Sequence, residues 1–361
     1  MNRREFLLAV GATACTGRGR AEPLEVPTAK QPVAEPRTII CEDPSITHTN
    51  FDASPLAIHG DLLVQEVNDE LWLWDLPTMR RIDAYSLGQD AFTLLGDGSI
   101  ATFGPRANEG GCAVQRLARG VLSTHPTLLC GGAVTLVLRT GGTDSIYIVH
   151  SQEIRRLRFG GPEVEVDATI EIPVASFSNR GQMFSLDDGR VVAPGDGISI
   201  LEPGKAAVRR PMGKVYPRHL ARATAERFWY SRASRTYNAF DTLVLAHLDA
   251  PEVDPQSRTF APSRIVHMAS HGSAIAVLLM TPRKMDYSRT VADDTWQVAV
   301  VDEYGIERWR AEVPPQPRPY RLNYRGAVTL SATRLVLRTP SDALLAWDAA
   351  TGVPVAVTPP A

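Results

Sequence analysis

From about Pro55 onward the chain alternates short apolar runs with clusters of glycine, proline, aspartate and asparagine. Residues 71–76, 133–138, 145–149, 198–201, 243–246, 298–301, 335–337 and 344–347 are such runs, rich in β-branched or aromatic side chains. Short runs with turn residues at both ends predict strands joined by tight turns. Residues 218–228 are the one stretch whose pattern admits a helix, and it is short. Two local patterns repeat. An apolar run closes on an aspartate at Leu73-Trp74-Asp75, Val300-Val301-Asp302 and Ala346-Trp347-Asp348. Aspartate at a strand end accepts backbone amides of the following turn and fixes the hairpin. An Asp-Gly pair sits between apolar flanks at Asp97-Gly98 and again at Asp188-Gly189. Asp-Gly supplies the positive φ angles that a two-residue hairpin turn demands.

The spacing of these marks sets the architecture. Asp302 and Asp348 lie 46 residues apart, Gly98 and Gly189 lie 91 apart, and Asp75 and Asp348 lie 273 apart, six steps of 45.5. A period of roughly 40–45 residues is what four strands and their turns consume in one propeller blade. The chain is therefore expected to be all-β, a single propeller of about seven four-stranded blades, with eight as the crowded alternative. A propeller has to close, since open strand edges invite aggregation. The segment Thr38-Ile39-Ile40-Cys41 is the candidate strand to pair beside the last blade.

The first residues read as an address. Asn2-Arg3-Arg4-Glu5-Phe6-Leu7-Leu8 resembles the twin-arginine export motif, and a short apolar run to Ala14 follows it. That run falls well below the ~18 residues needed to cross a bilayer. Ala12-Thr13-Ala14-Cys15 resembles a lipobox, with Ala where Leu is commonest, so Cys15 is the candidate lipidation site. Residues 16–37 carry Pro23, Pro27, Pro32 and Pro36 and have little to bury, as a tether would. The expected organisation is an export signal at 1–14, a proline-rich tether at 15–37 and the propeller at 38–361. The address is an exported periplasmic or outer-membrane and cell-surface lipoprotein, with the membrane reached through the lipid.

Val301-Asp302-Glu303-Tyr304-Gly305-Ile306-Glu307-Arg308-Trp309 and Ala346-Trp347-Asp348-Ala349-Ala350-Thr351-Gly352 resemble repeats of the pyrroloquinoline-quinone-like β-propellers. That pattern runs Ala-x-Asp-x-x-x-Gly and ends in a tryptophan four residues after the glycine. Trp309 takes the tryptophan position in the first stretch, although the Asp-to-Gly spacing is one short. Ala356 takes it in the second. The resemblance implies that Trp309 and Trp347 pack between blades, and it specifies architecture and no chemistry. The quinoprotein dehydrogenases resemble longer proteins with adjacent cysteines, and Cys15, Cys41, Cys112 and Cys130 include no adjacent pair. The non-enzymatic branch fits better; one member is the propeller lipoprotein of the outer-membrane barrel-assembly machinery, a scaffold that binds its partner through loops.

Composition narrows the classes. The 361 residues are 44% hydrophobic and 22% charged with a formal net charge of −2, as expected of a chain with ample core. No nucleic-acid partner is expected of so neutral a chain. Candidate chemistry is sparse: no catalytic residue, cofactor site or metal-ligand set stands out. Ser185-Leu186-Asp187-Asp188-Gly189-Arg190-Val191-Val192 matches most of a sialidase-type Asp-box, itself a structural hairpin. His267 and His271 are four apart, about 13 Å in a strand and too far for one ion. Cys112 and Cys130 are read as lying in neighbouring blades, either bridged or as two buried thiols.

The most unusual stretch is 205–237, with nine cations, Glu226 as its one acid, and Tyr216, Phe228, Trp229, Tyr230 and Tyr237 interleaved. Arg209, Arg210, Arg218, Arg222 and Arg232 are the candidate anionic-ligand face, with arginine forks for phosphate or carboxylate and aromatic planes for stacking. The alternative is a solvated edge whose cations pair with acids elsewhere, such as Asp241, Asp249 and Glu252. The expected function is a monomeric, non-catalytic binding or scaffold propeller at the cell envelope, recognising a protein or glycan through its loops. The alternative is an envelope enzyme, a hydrolase or lyase, with its site at the channel mouth.

Overall fold

The structure, a computed structural model, describes residues 56–67, 70–86, 91–105, 111–118, 121–130, 134–139, 145–150, 153–159, 165–171, 183–195, 197–212, 217, 219–233, 240–253, 255–281, 295–314, 328–339 and 342–358. Among these, four-strand antiparallel meanders follow one another along the chain. Blade 1 is β1 (Leu56–His59), β2 (Leu62–Val67), β3 (Glu70–Asp75) and β4 (Arg80–Ser86). Blade 2 is β5 (Ala91–Leu94), β6 (Ile100–Pro105), β7 (Gly111–Ala118) and β8 (Val121–Cys130). Blade 3 is β9 (Val134–Arg139), β10 (Ser145–His150), β11 (Glu153–Arg158) and β12 (Glu165–Glu171). Blade 4 is β13 (Phe184–Ser185), β14 (Val191–Gly195), β15 (Gly197–Leu201) and β16 (Val208–Arg210). Blade 5 is β17 (Leu220–Arg222), β18 (Arg227–Ala233), β19 (Phe240–His247) and β20 (Gln256–Thr259). Blade 6 is β21 (Arg264–His271), β22 (Ala274–Thr281), β23 (Thr295–Val301) and β24 (Glu307–Glu312). Blade 7 is β25 (Val328–Leu330), β26 (Arg334–Arg338), β27 (Leu344–Asp348) and β28 (Pro354–Val355).

The first strands form the inner ring. Each touches the first strand of the next blade, and β25 touches β1, so the ring is closed at seven. Second and third strands are pressed between neighbouring blades, and β15, β19 and β22 are buried at nearly every position. Fourth strands face outward and are mainly polar, as in β20 and β24. The core is accordingly a series of inter-blade layers. Trp296, Val298, Leu335 and Trp347 share the layer between blades 6 and 7, and Leu63, Trp74, Val336 and Leu344 share the one between blades 7 and 1.

The recurrent turns fall where the period puts them. Asp75, Asp302 and Asp348 each open the third-to-fourth-strand turn of blades 1, 6 and 7. The Asp-Gly hairpins join first to second strands in blades 2 and 4, where Gly98 and Gly189 have φ of 83° and 86°. The stretch that admitted a helix is instead β17, a turn and β18. Thr224 Oγ1 accepts the amides of Glu226 and Arg227 and makes the turn, and Phe228-Trp229-Tyr230 bury better on a pleated strand than on an isolated short helix. Cys112 and Cys130 lie not in neighbouring blades but in one, on the adjacent strands β7 and β8. There Cys112 is in register with Leu129 and Cys130 with Gly111, so the two are not register partners. Their side chains lie outside the described residues.

Trp309 docks on the next blade, as the repeat pattern implies. Its indole N–H donates to Ala349 O at 2.9 Å, and a Cβ on Gly352 would stand 2.6 Å from its ring. It is half-buried, whereas Trp347 is fully in the core. All four strands of blade 7 come from the C-terminal part of the chain, and Thr38-Ile39-Ile40-Cys41 lies outside the described residues, as do Cys15 and the whole of 1–55. Beyond β28 the chain crosses to blade 1. Thr358 N donates to Met79 O at 3.0 Å, Thr358 bridges Arg80 in parallel, and Val355 and Val357 pack into the layer between blades 7 and 1.

Candidate binding face

The arginines expected to share a face are distributed over two blades. Arg209 and Arg210 are on β16, the outer strand of blade 4. Arg222 ends β17 on the inner ring of blade 5, and Arg232 is near the far end of β18. Arg222 is in register with Phe228, so about four residues, or 13 Å of strand, separate it from Arg232. Arg218 lies outside the described residues. The pairings are largely with acids outside the stretch or at its edge: Arg210 Nη2 to Asp249 Oδ1 at 3.3 Å, and Lys205 Nζ to Glu202 Oε1 at 2.7 Å. Arg222 grips Asp187 with both terminal nitrogens, one at 2.6 Å, and so ties blade 5 to the Asp-Gly hairpin of blade 4. The hydrogen bonds from Arg222 hold Asp187 below the usual carboxylate range. Arg209 is exposed and, among the described residues, carries no ion pair.

Of the interleaved aromatics, the three on β18 are core, and Tyr216 and Tyr237 lie outside the described residues. Phe228, Trp229 and Tyr230 are 0%, 1% and 3% exposed, so they offer no stacking plane to a ligand. Alternation along β18 sends Phe228 and Tyr230 into the layer with blade 4 and Trp229 into the layer with blade 6. A depression of about 110 Å³ lies between blades 4 and 5, lined by Arg190, Lys205, Arg210, Glu202 and Asp249 among others. Its three cations meet two anions there, and each already has a partner.

Elsewhere the polar side chains join blades. Arg116 of β7 holds Asp97 and reaches Phe159 O of blade 3 at 3.3 Å. Tyr147 of β10 donates to Gly189 O in blade 4. Arg258 of β20 and Arg310 of β24 both hold Glu307, at 2.9 and 2.7 Å. Burial alone would raise the Glu307 carboxyl, but these two guanidinium groups outweigh it and hold it low. Arg334 of β26 donates to Pro77 O in blade 1 at 2.6 Å. His267 and His271, both on β21, do not converge. His271 is exposed at the end of the strand, and His267 Nδ1 accepts the Val328 amide of β25 at 3.3 Å. Among the described residues no group of three or more His, Cys, Asp or Glu comes together to hold a metal.

What the sequence pattern missed is an apolar set on one face. Val253, Tyr304, Ile306 and Val353 are 60%, 67%, 59% and 59% exposed, and all lie in the third-to-fourth-strand turns of the consecutive blades 5, 6 and 7. The signal was present as a β-branched residue directly after the turn glycine, at Gly305-Ile306 and Gly352-Val353. Neither residue falls in one of the apolar runs, so hydrophobicity alone singled out neither.

Neither a family model nor a curated protein sequence matches the chain. Solved structures do. The β-propeller domain of the Trilobed protease from Pyrococcus furiosus is similar over 82% of this chain and 94% of its own, at 11% identity and a TM-score of 0.51. The WD40 repeats of RRP9 are similar over 77% and 84%, at 12% identity and a TM-score of 0.51. BamB from Moraxella catarrhalis is similar over 84% of this chain and 98% of its own, at 13% identity and a TM-score of 0.45. Identities this low speak for the fold alone, and by fold the chain is a seven-bladed β-propeller.

Proposed function

We propose that the chain is a non-catalytic protein-binding scaffold, exported and held at the cell envelope by a lipid on Cys15. The observation that carries the binding reading is the concentration of exposed apolar side chains on the turns of blades 5 to 7. Single exposed apolar residues are ordinary, whereas a cluster on one face is the mark of an interaction surface. The polar groups near it are spent on joining blades, which leaves a stiff ring presenting fixed turns. The paired arginines Arg3-Arg4 and the Ala12-Thr13-Ala14-Cys15 stretch support the address. An anionic-ligand role among Arg209, Arg210, Arg218, Arg222 and Arg232 rests mainly on the exposed Arg209, since Arg210 and Arg222 are engaged with Asp249 and Asp187.

The test is fractionation combined with photo-crosslinking in intact cells. The wild-type chain is expected in the membrane fraction, and Cys15→Ser in the soluble one. A crosslinkable residue at position 304 is expected to trap a discrete protein partner. A wild-type chain wholly in the cytosol overturns the address, and a ring that traps no protein from any turn overturns the scaffold reading.

A further inference from the structure

The third-to-fourth-strand turns of blades 6 and 7 share one plan, with one residue fewer between aspartate and glycine in blade 6. Asp302 Oδ1 accepts the amides of Tyr304 and Ile306, each at 2.9 Å, and Asp348 Oδ1 accepts those of Ala350 and Thr351 at 3.1 and 2.9 Å. Each turn then passes through a left-handed glycine, Gly305 at φ 76° and Gly352 at φ 72°, and exposes a β-branched residue directly after it. The turns differ in what covers the glycine. Over Gly352 lies the indole of Trp309, in contact with the glycine face and hydrogen-bonded to Ala349 O. Over Gly305, among the described residues, a Cβ would meet nothing within 4 Å.

The reason is in the neighbouring strand. The strand that would supply the cap to blade 6 is β20 of blade 5, whose sequence Gln256-Ser257-Arg258-Thr259 has no aromatic residue. Its Arg258 turns to Glu307 instead. Blade 6 therefore presents a one-residue-shorter version of that seat without its indole. Tyr304 and Ile306 flank it, and Val253 projects from the corresponding turn of blade 5. The described turns of blades 5 and 6 on this face carry Glu226, Asp249, Glu252, Asp302 and Glu303 and no lysine or arginine. Of these, Asp249 is paired with Arg210.

We propose that the turn around Gly305 is the docking seat for an aromatic side chain, tryptophan foremost, carried by a protein partner on a segment with flanking lysines or arginines. This rests on the scaffold reading and names the partner's chemistry. The chain's own blade 7 is the template: a ring lies on the glycine, and its N–H finds the turn carbonyl one residue after the aspartate. Cations on either side of the ring meet Glu303 and Glu252. An aromatic anchor in a small apolar seat with a charged rim is the usual composition of an interface hot spot.

The probe is a fluorescently labelled hexapeptide with one tryptophan between lysines, titrated against the full chain and followed by anisotropy. Control peptides replace tryptophan by alanine or the lysines by glutamate. Ile306→Lys places a cation in the seat, and Val353→Lys makes the same change beside the capped glycine of blade 7. Both positions are exposed, and unchanged melting temperatures verify the folds. The expected result is at least tenfold weaker binding for Ile306→Lys, for the alanine peptide and for the glutamate peptide, with Val353→Lys like the wild type. Equal binding by the two variants, equal binding of the alanine peptide, or no binding of the tryptophan peptide at millimolar concentration overturns the seat. Crosslinking to a protein from other turns but not from position 306 overturns the seat while leaving the scaffold reading standing.

Discussion

Trp309 shows how one side chain joins two blades and how its energy can be isolated. The half-buried indole contributes apolar contact with blade 7 and a hydrogen bond to Ala349 O, so Trp309→Ala is expected to cost about 2–3 kcal/mol, below the figure for a fully buried tryptophan. Gly352→Ala forces a methyl to 2.6 Å from the ring at a φ of 72°. In the wild type both the clash and the left-handed strain act, whereas in a Trp309→Ala background only the strain of roughly 1–2 kcal/mol remains. The double variant is therefore expected to be less destabilised than the sum of the singles, and denaturant unfolding of the four proteins measures that coupling. Additive costs would mean that the indole does not rest on Gly352. The tryptophan was legible in the sequence because the repeat pattern supplied its role. The exposed Ile306 and Val353 were not, because hydrophobicity does not say which side of a turn a β-branched residue takes.

At the level of strands, legibility followed burial. The apolar runs found in the sequence are mostly second and third strands, pressed between blades on both faces and hence largely apolar, as Ile198–Leu201 of β15 and Leu344–Trp347 of β27 are. Fourth strands such as β16, Val-Arg-Arg, and β20, Gln-Ser-Arg-Thr, carry little apolar pattern, and only the period of the turns located them. The same blindness made 205–237 look like one charged surface segment, when it holds β16, β17 and the buried triplet of β18. The inner strands β21 and β25 carry a prediction of their own. Burial favours the neutral imidazole of His267 and lowers its pKa to about 4, and Nδ1 accepts the Val328 amide between those strands. Below its ordinary pKa near 6.5 the unfolded chain binds a proton that the folded chain does not, so this histidine's effect on stability worsens as pH falls from about 6.5 to about 4. Carboxylates held low, among them Asp187, Glu307 and Asp348, add acid sensitivity of their own at lower pH. His267→Gln is expected to flatten the melting-temperature profile between pH 6.5 and 4 relative to the wild type. Parallel profiles would place the acid sensitivity wholly in the carboxylates.

The ring as a whole closes at one seam, between blades 7 and 1, where residues 355–358 lie against β4 and the turn before it. Val357→Asp puts a charge into that layer, and hydrogen exchange is expected to accelerate first in β1–β4 and β25–β28, with blades 3 to 5 keeping their protection. Uniform acceleration around the ring would mean that the seam is no weaker than the other joints. Blade number, period and single-ring architecture were all legible in the turn spacing, because every blade repeats one local problem. The seam was not, because nothing local distinguishes residues that finish a blade from residues that reach across to the first. Its consequence concerns the order in which the protein is made. Arg80 leaves the ribosome 278 residues ahead of Thr358, roughly 15–55 s at ordinary synthesis rates. Throughout that interval the apolar flank of blade 1 formed by Leu56, Leu63, Trp74 and Met79 has no native cover. A nascent chain of this design spends most of its synthesis with a sticky first blade, and the cell has to shield it until blade 7 arrives.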